Sequence, residues 1–371
     1  MMRTVLLGDI CDIKIGRTPP RNQPQWFSGS HGIKWVSIKD MGNTGKYISQ
    51  TSEFLTTDAI KKFNIPIIPV GTLLMSFKLT VGRLGFTGHD MCSNEAIAQL
   101  PIKDPDIVDN NYLYYYLKNF NFGSLSSTSS IATAVNSKTV KNISVNLPPL
   151  YQQKKIADIL SSLDEKIELN RRMNETLEQL GQALFRHYFV DKANQSNGNI
   201  QTIPLGKKFH PKRGRSLQAR DMICGDTPVI SGGLKPAGFH NKANTVAPVI
   251  TISASGANAG FVSVWGEPVW SADSSYIDST ITKYVYTYYL FLNNKQKEIY
   301  DMQTGSGQPH IYPKHIELLE TVDLSDLELD DFEQRVRPLF DMIHENKKQI
   351  YYLSNIRDTL LPKLISGEIE V

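Results

Sequence analysis

Counting apolar positions in threes and fours from Ile156 leads through Leu160, Leu163, Ile167, Asn170, Asn174, Leu177, Gly181 and Leu184, the seam of a coiled coil with two polar steps. The spacing predicts one long helix from Gln152 to about Phe189, packed along a single partner. Shifted by 176 residues, the same spacing returns at Phe332, Val336, Leu339, Ile343, Asn346, Ile350, Leu353, Arg357 and Leu360. Its polar step returns too, as Asn170-Arg171-Arg172 against Asn346-Lys347-Lys348. A break at the same step twice reads as an internal duplication and makes the two helices each other's partners. A seam Asn fixes register at some cost in stability, because only one alignment gives each amide a partner. Asn170 is therefore expected to face Asn346; the other reading is that each faces water. Pro338 lacks a backbone donor, so the second helix is expected to start near it or kink there.

Before each helix the pattern changes to short alternating or apolar runs, Ile33 to Ile38 and Ile67 to Phe77, echoed by Thr227 to Ile230 and Ala247 to Ser253. These predict strands. The two strand-rich modules open alike, Leu7-Gly8 then Lys14-x-Gly16-Arg17-Thr18, and Leu205-Gly206 then Lys212-x-Gly214-Arg215-Ser216, at an offset of 198. Gly16 and Gly214 are expected to permit a turn that places the flanking cations. Further on, a gapless alignment of Thr72 to Phe86 with Ala247 to Phe261 sets Gly85-Phe86 on Gly260-Phe261, Lys78 on Ser253 and Arg83 on Asn258, at an offset of 175. The first module thus carries about 23 extra residues between positions 18 and 72. Loops that match in place and differ in chemistry suit modules that read different partners; drift after duplication gives the same pattern.

Each module then has an aromatic helical run, Asn111 to Phe120 and Tyr284 to Asn293, whose tyrosines read as core rather than as a platform for stacking bases. A Ser- or Gly-rich loop follows (Ser124 to Thr133, Thr304 to Pro309), and the first leads through Leu147 to Tyr151 into the long helix. Asp191 to Asn199 is polar and reads as a linker. The expected architecture is α+β: β-rich modules at 1–150 and 203–328, helices at 151–190 and 329–371 packed antiparallel, and a linker at 191–202.

A length of 371 residues suggests about two domains plus connecting elements. Hydrophobic content of 40% and charged content of 21% fit a globular chain, and a net charge of +3 permits nucleic acid without demanding it. Cys11, Cys92 and Cys224 are scattered, so neither a zinc site nor a disulfide framework is indicated. No window resembles a signal peptide or membrane span, and the expected location is the cytoplasm.

Enzyme signatures fail. Gly45-Lys46 lacks the glycine a phosphate-binding loop needs and is followed by Tyr47. Asn146 is separated by Leu147 from Pro148-Pro149, unlike an amino-methyltransferase motif. Pro105-Asp106 with Asp164-x-Lys166 has the residue types of a metal-dependent nuclease, but Asp164 and Lys166 are expected on the solvated face of the first helix.

With the repeat in view, the chain resembles the DNA-specificity subunit of type I restriction-modification systems over essentially its whole length. The resemblance rests on the paired Leu-Gly openings, the two Gly-Phe motifs, the LPPLYQQKKI entry to the first helix and the C-terminal LLPKLISGEI. The chain departs in having Gln152 where the family has Glu, and in a second entry, Leu329-x-x-Phe332-Glu333-Gln334, without the Pro-Pro pair. The resemblance implies two target recognition domains reading the halves of a split site in double-stranded DNA. It also implies a helix pair that spaces them and docks two methyltransferase subunits, with a restriction and motor subunit joining through these. No cofactor is expected in this chain; S-adenosylmethionine, ATP and Mg2+ belong to the partners. A helix of about 37 residues spans about 55 Å, against about 34 Å for one DNA turn. Lys14, Arg17, Lys212, Arg213 and Arg215 are candidates for DNA backbone contact. Lys39, Lys78 and Arg83 in the first module, and Lys235, Ser253, Ser255 and Asn258 in the second, are candidates for base readout. No catalytic or metal-ligating residue is assigned. The competing classes are a protein-binding coiled-coil scaffold, without salt-dependent DNA affinity, and a free-standing nuclease that cuts with metal.

Overall fold

The computed structural model describes residues 2–42, 45–125, 136–191, 202–305 and 307–371. Most of the linker at 191–202 and of the loop at Ser124 to Thr133 lies outside the described residues. The chain forms two compact units, residues 1–169 with 350–371, and residues 170–349.

In the first unit, β1 (Lys14–Ile15), β2 (Ile33–Val36), β3 (Leu73–Ser76), β4 (Leu84–Thr87), β5 (Cys92–Ser93) and β6 (Ile97–Gln99) build two sheets. One runs β1-β6-β3-β4 with antiparallel pairs, and Tyr47–Ile48 adds parallel to β4. In the other, β2 lies parallel to β5 and antiparallel to Glu53–Leu55. In the second unit β7 (Lys212–Arg213), β8 (Thr227–Ile230), β9 (Val249–Ser253), β10 (Val262–Trp265), β11 (Trp270–Ser271) and β12 (Ser274–Asp278) repeat the plan: β7-β12-β9-β10 forms one sheet, and β8 lies parallel to β11 in the other. A strand before each module pairs with one after it in a separate two-stranded sheet, Arg3–Leu6 with Ser144–Leu147 and Thr202–Pro204 with Glu320–Val322, which brings the two ends of each module together. β9 is buried at every position, as a continuous apolar run in a two-faced core should be.

Register corrects the alignment drawn from sequence. The Ser76 N–H donates to the Arg83 carbonyl (2.9 Å) and the Gly82 N–H to the Ser76 carbonyl (2.9 Å); Ser253, Phe261 and Gly260 repeat these bonds at 3.0 and 2.7 Å. Gly82 and Gly260 share a left-handed φ of 88° and 89°. The equivalent pairs are therefore Ser76 and Ser253, Lys78 and Ser255, Arg83 and Phe261. The turn that needs a left-handed residue anchors the hairpin, whereas Gly85 is an ordinary residue of β4 and the Gly-Phe pairs do not correspond.

The four longest helices among the described residues are α1 (Asn110–Lys118), α2 (Leu150–Phe185), α3 (Val285–Asn294) and α4 (Asp326–Ser366). The tyrosines of α1 and α3 are core, as expected, except half-buried Tyr116: Tyr112, Tyr114, Tyr115, Tyr286, Tyr288 and Tyr289 are all buried. Burial raises each phenol above its ordinary range. In the second unit Asn170 Nδ2 donates to Gln349 Oε1 (3.1 Å) and Asn346 Nδ2 to Asn174 Oδ1 (2.9 Å), so α2 and α4 run antiparallel there. Asn170 and Asn346 are both buried in the seam, yet they do not face each other. The heptad pattern gives the buried face of a helix but not the step at which the partner meets it. The second helix begins well before Pro338 and is continuous through it, because a proline removes one internal donor without unmaking a helix held by packing on Phe332, Val336, Phe340 and Ile343.

In the first unit α2 and α4 meet through Ile156, Leu160, Leu361 and Leu364. Asp164, expected on a solvated face, is only 8% exposed. It accepts from Arg357 Nη1 (2.6 Å) and the Tyr115 hydroxyl (2.7 Å), with Lys118 Nζ at 3.9 Å. Burial alone would raise its pKa; Lys118, Arg357 and Tyr115 outweigh that and hold it below the ordinary value. The helix entries also have a visible role. The side chain of Gln153 accepts from the Asp109 N–H and donates to the Ile107 and Pro148 carbonyls. Glu333 accepts from the Tyr286 and Thr287 N–H groups and the Thr287 hydroxyl. Each ties its long helix to the start of the aromatic one.

Candidate nucleic-acid interface

Both modules hold the Gly-Arg segment in the same way. A Cβ on Gly16 would lie 2.1 Å from the Ser93 carbonyl oxygen, and one on Gly214 2.4 Å from that of Ser271. Neither glycine has a left-handed φ, so close approach of backbone to backbone, not a turn, excludes a side chain. The next N–H, of Arg17 or Arg215, donates to that same carbonyl at 2.9 Å. The carbonyl of the arginine accepts from a tryptophan, Trp35 Nε1 at 3.2 Å in the first unit and Trp270 Nε1 at 2.8 Å in the second. These tryptophans sit on different strands. Trp35 on β2 faces Cys92 on β5, while Val229 on β8 faces Trp270 on β11.

Beside each segment lies a carboxylate on the turn between the fifth and sixth equivalent strands. Glu95 accepts from the Thr18 hydroxyl. Burial raises the pKa of Glu95, but its hydrogen bonds and the charges of Lys78 and Arg21 prevail and lower it. Asp273 accepts from Arg213 Nη2 (2.6 Å) and the Ser255 hydroxyl. Asn258 Nδ2 donates to the Gly232 carbonyl (3.4 Å), whose glycine lies against Ser255 and Asp273. The structure thus gathers Arg213, Ser255 and Asn258 about Asp273, and Lys78 and Thr18 about Glu95.

The other candidates divide by what already holds them. Arg17 Nη1 donates to the Phe63 and Asn64 carbonyls (3.1 and 2.8 Å). Arg83 Nη1 donates to the Ile38 carbonyl (2.7 Å), in space left open by Gly42. Ser253 is buried, with a hydroxyl that has no partner among the described residues. Lys14 is exposed with Asp12 3.5 Å away, and Lys39, Lys78, Lys212, Arg215 and Lys235 are exposed.

Residues 2–179 match the family model for the type I restriction modification DNA specificity domain. The MjaIX specificity subunit of Methanocaldococcus jannaschii is 26% identical, across 98% of this chain and 93% of the relative. Over nearly its whole length the chain is thus similar to type I restriction-modification specificity subunits. The HindI specificity subunit of Haemophilus influenzae is 40% identical over a shorter stretch, 24% of this chain and 19% of that one. In fold, the crystal structure of the type I S subunit from M. genitalium matches with a TM-score of 0.62 at 20% identity, over 98% of this chain and 96% of that one. DNA sequence recognition is the task of a specificity subunit.

Sequence reasoning misses Glu95 and Asp273 because cations, not carboxylates, are what a DNA surface leads one to expect. A signal was present: Ser93-x-Glu95 and Ser271-x-Asp273 recur at an offset of 178. Among the described residues no group of three or more His, Cys, Asp or Glu is placed to hold a metal, and no helix is long and apolar enough to cross a membrane. Cys11 and Cys92 are buried, with thiols pushed up to about 12 by desolvation, which makes them poor nucleophiles.

Proposed function

We propose that this chain is a specificity subunit that reads a split site in double-stranded DNA, one half per module, and supplies the address but no chemistry. Two methyltransferase subunits dock on α2 and α4 and, with S-adenosylmethionine, modify adenine N6. A restriction and motor subunit, using ATP and Mg2+, joins through them, all inside the cell. One observation carries this reading: the Gly-Arg segment, its tryptophan bond and its neighbouring carboxylate occur in both modules on the same strand plan, while the side chains about the carboxylate differ. A conserved frame with changed contact chemistry suits two readers of two sequences.

The exposed Lys14, Lys39, Lys78, Lys212, Arg215 and Lys235 supply phosphate contacts, which set affinity and its salt dependence. Ser255, Asn258 and Arg213 supply readout in the second half-site, with Asp273 orienting Arg213. Arg17 and Arg83 act as positioning residues, since neighbouring carbonyls already engage their guanidinium groups. Mapping methylated adenines across the host genome, with the gene intact and deleted, tests the proposal. Loss of one split motif on deletion is expected, and an unchanged map in a strain that expresses the whole system would overturn it.

A further inference from the structure

The two reading hairpins differ most at one position. Three residues beyond the equivalent serines Ser76 and Ser253 stand Leu79 and Gly256, and both have a left-handed φ, 60° and 82°. Gly256 takes that conformation freely, and a side chain added there would meet nothing within 4 Å. Leu79 takes it against the preference of a branched L-residue. Among the described residues its side chain gains no packing in return. It is 94% exposed, the highest among the exposed large hydrophobics of the described residues.

The tip is not loose. The Ser76 hydroxyl accepts from the Arg83 N–H (2.9 Å) and donates to the Thr80 carbonyl, and the Phe77 N–H donates to the Ala96 carbonyl (2.9 Å). Leu79 is therefore held outward by a loop whose own bonds fix its shape. Strained backbone of this kind concentrates where a contact repays it, and the described residues supply none here.

We propose that Leu79 is a specificity-determining residue that packs against the C5-methyl group of a thymine in the major groove of the first half-site. A two-stranded ribbon fits that groove, and the thymine methyl is its apolar feature. Lys78, exposed beside Leu79, supplies the charge that brings a hairpin tip to a polyanion. The second module presents Gly256 at this place and makes no such contact. The inference rests on the reading of this chain as a split-site reader.

The test uses the specificity subunit co-expressed with its methyltransferase subunits, and duplexes of the motif mapped from methylated adenines, each thymine replaced in turn by deoxyuridine. For the parent complex, one replacement in the first half-site should lower methylation by about tenfold, within the range of a single base contact. Leu79→Gly should lose the same factor on the thymine duplex and be indifferent to the replacement. Because glycine suits a left-handed φ, this variant should fold at least as well as the parent. If the parent methylates the motif but no replacement in that half-site matters, or Leu79→Gly stays as sensitive as the parent, the role of Leu79 is overturned and the split-site reading stands. A parent complex that methylates the motif and a duplex with either half-site scrambled equally well overturns both.

Discussion

Equivalent positions on the two long helices meet their aromatic helices through opposite chemistry. In the first unit Asp164 of α2 lies under Tyr115, tied to Arg357 of α4 and close to Lys118. Lys46 is buried nearby, bonded to Ser161 at 2.8 Å and surrounded by the rings of Tyr47, Phe86, Tyr114 and Tyr115. In the second unit the residue 176 positions later, Phe340, stacks on Tyr286 at 4.7 Å with rings nearly parallel, and meets Tyr289 edge-on at 5.5 Å. The duplication kept the joint between helix and module and exchanged what fills it. A stacked pair gains from area and contact, whereas a buried ion network stands only while every member is present.

This contrast can be broken from either side. The largest effect is expected from Phe340→Ala, which empties a fully packed site and should cost about 4 kcal/mol in denaturant unfolding of the second unit. Asp164→Ala takes from half-buried Arg357 its interhelical carboxylate, leaving only Asp358 beside it, and should cost about 2 kcal/mol in the first unit. Replacing both partners, Asp164→Leu with Arg357→Leu, should recover most of that loss, and failure to recover would show that the network is more than a matched pair.

Acid should separate the units further. The folded pKa of Asp164 lies below its unfolded value, so its contribution is present above the ordinary aspartate range and is lost as pH falls through the lowered value. Glu333 in the second unit has the opposite sign. Burial, the largest influence, raises its pKa despite the amides that bond it, so its contribution is present at low pH and is lost as pH rises through the raised value. Amide hydrogen exchange in α1 and α3 across the acid range should show protection falling first in α1. Simultaneous loss in both helices would mean that these carboxylates do not govern the difference. The smallest effect is expected at Arg83→Ala, about 1 kcal/mol from one lost bond to a carbonyl, with base preference unchanged. A relaxed preference at one base pair would return Arg83 to the reading set.

The parts legible in sequence were those set by periodicity. The seam of α2 and α4, the strands at Ile33, Thr227 and Val249, and the buried tyrosines follow from which positions repeat. Register does not follow, because Asn170 meets Gln349 through a choice among neighbouring steps that the heptad leaves equal. At the interface, residue type gave Arg17 and Arg83 as cations, but only the fold shows that nearby carbonyls take their donors. The Gly-Phe pairs misled for a related reason: two letters matched by chance of strand composition, while the glycines that matter, Gly82 and Gly260, are marked by φ.

The crossed tryptophans limit how such a chain changes by recombination. Each module needs one indole beneath its Gly-Arg carbonyl, drawn from the second equivalent strand in one case and the fifth in the other. A chimera taking β8 in place of β2 alone would set Val229 against Cys92 and leave that carbonyl without a donor; the reverse exchange would force two indoles into one slot. The smallest inheritable part is therefore the strand pair, and crossovers between these strands should be purged while exchanges of whole modules survive.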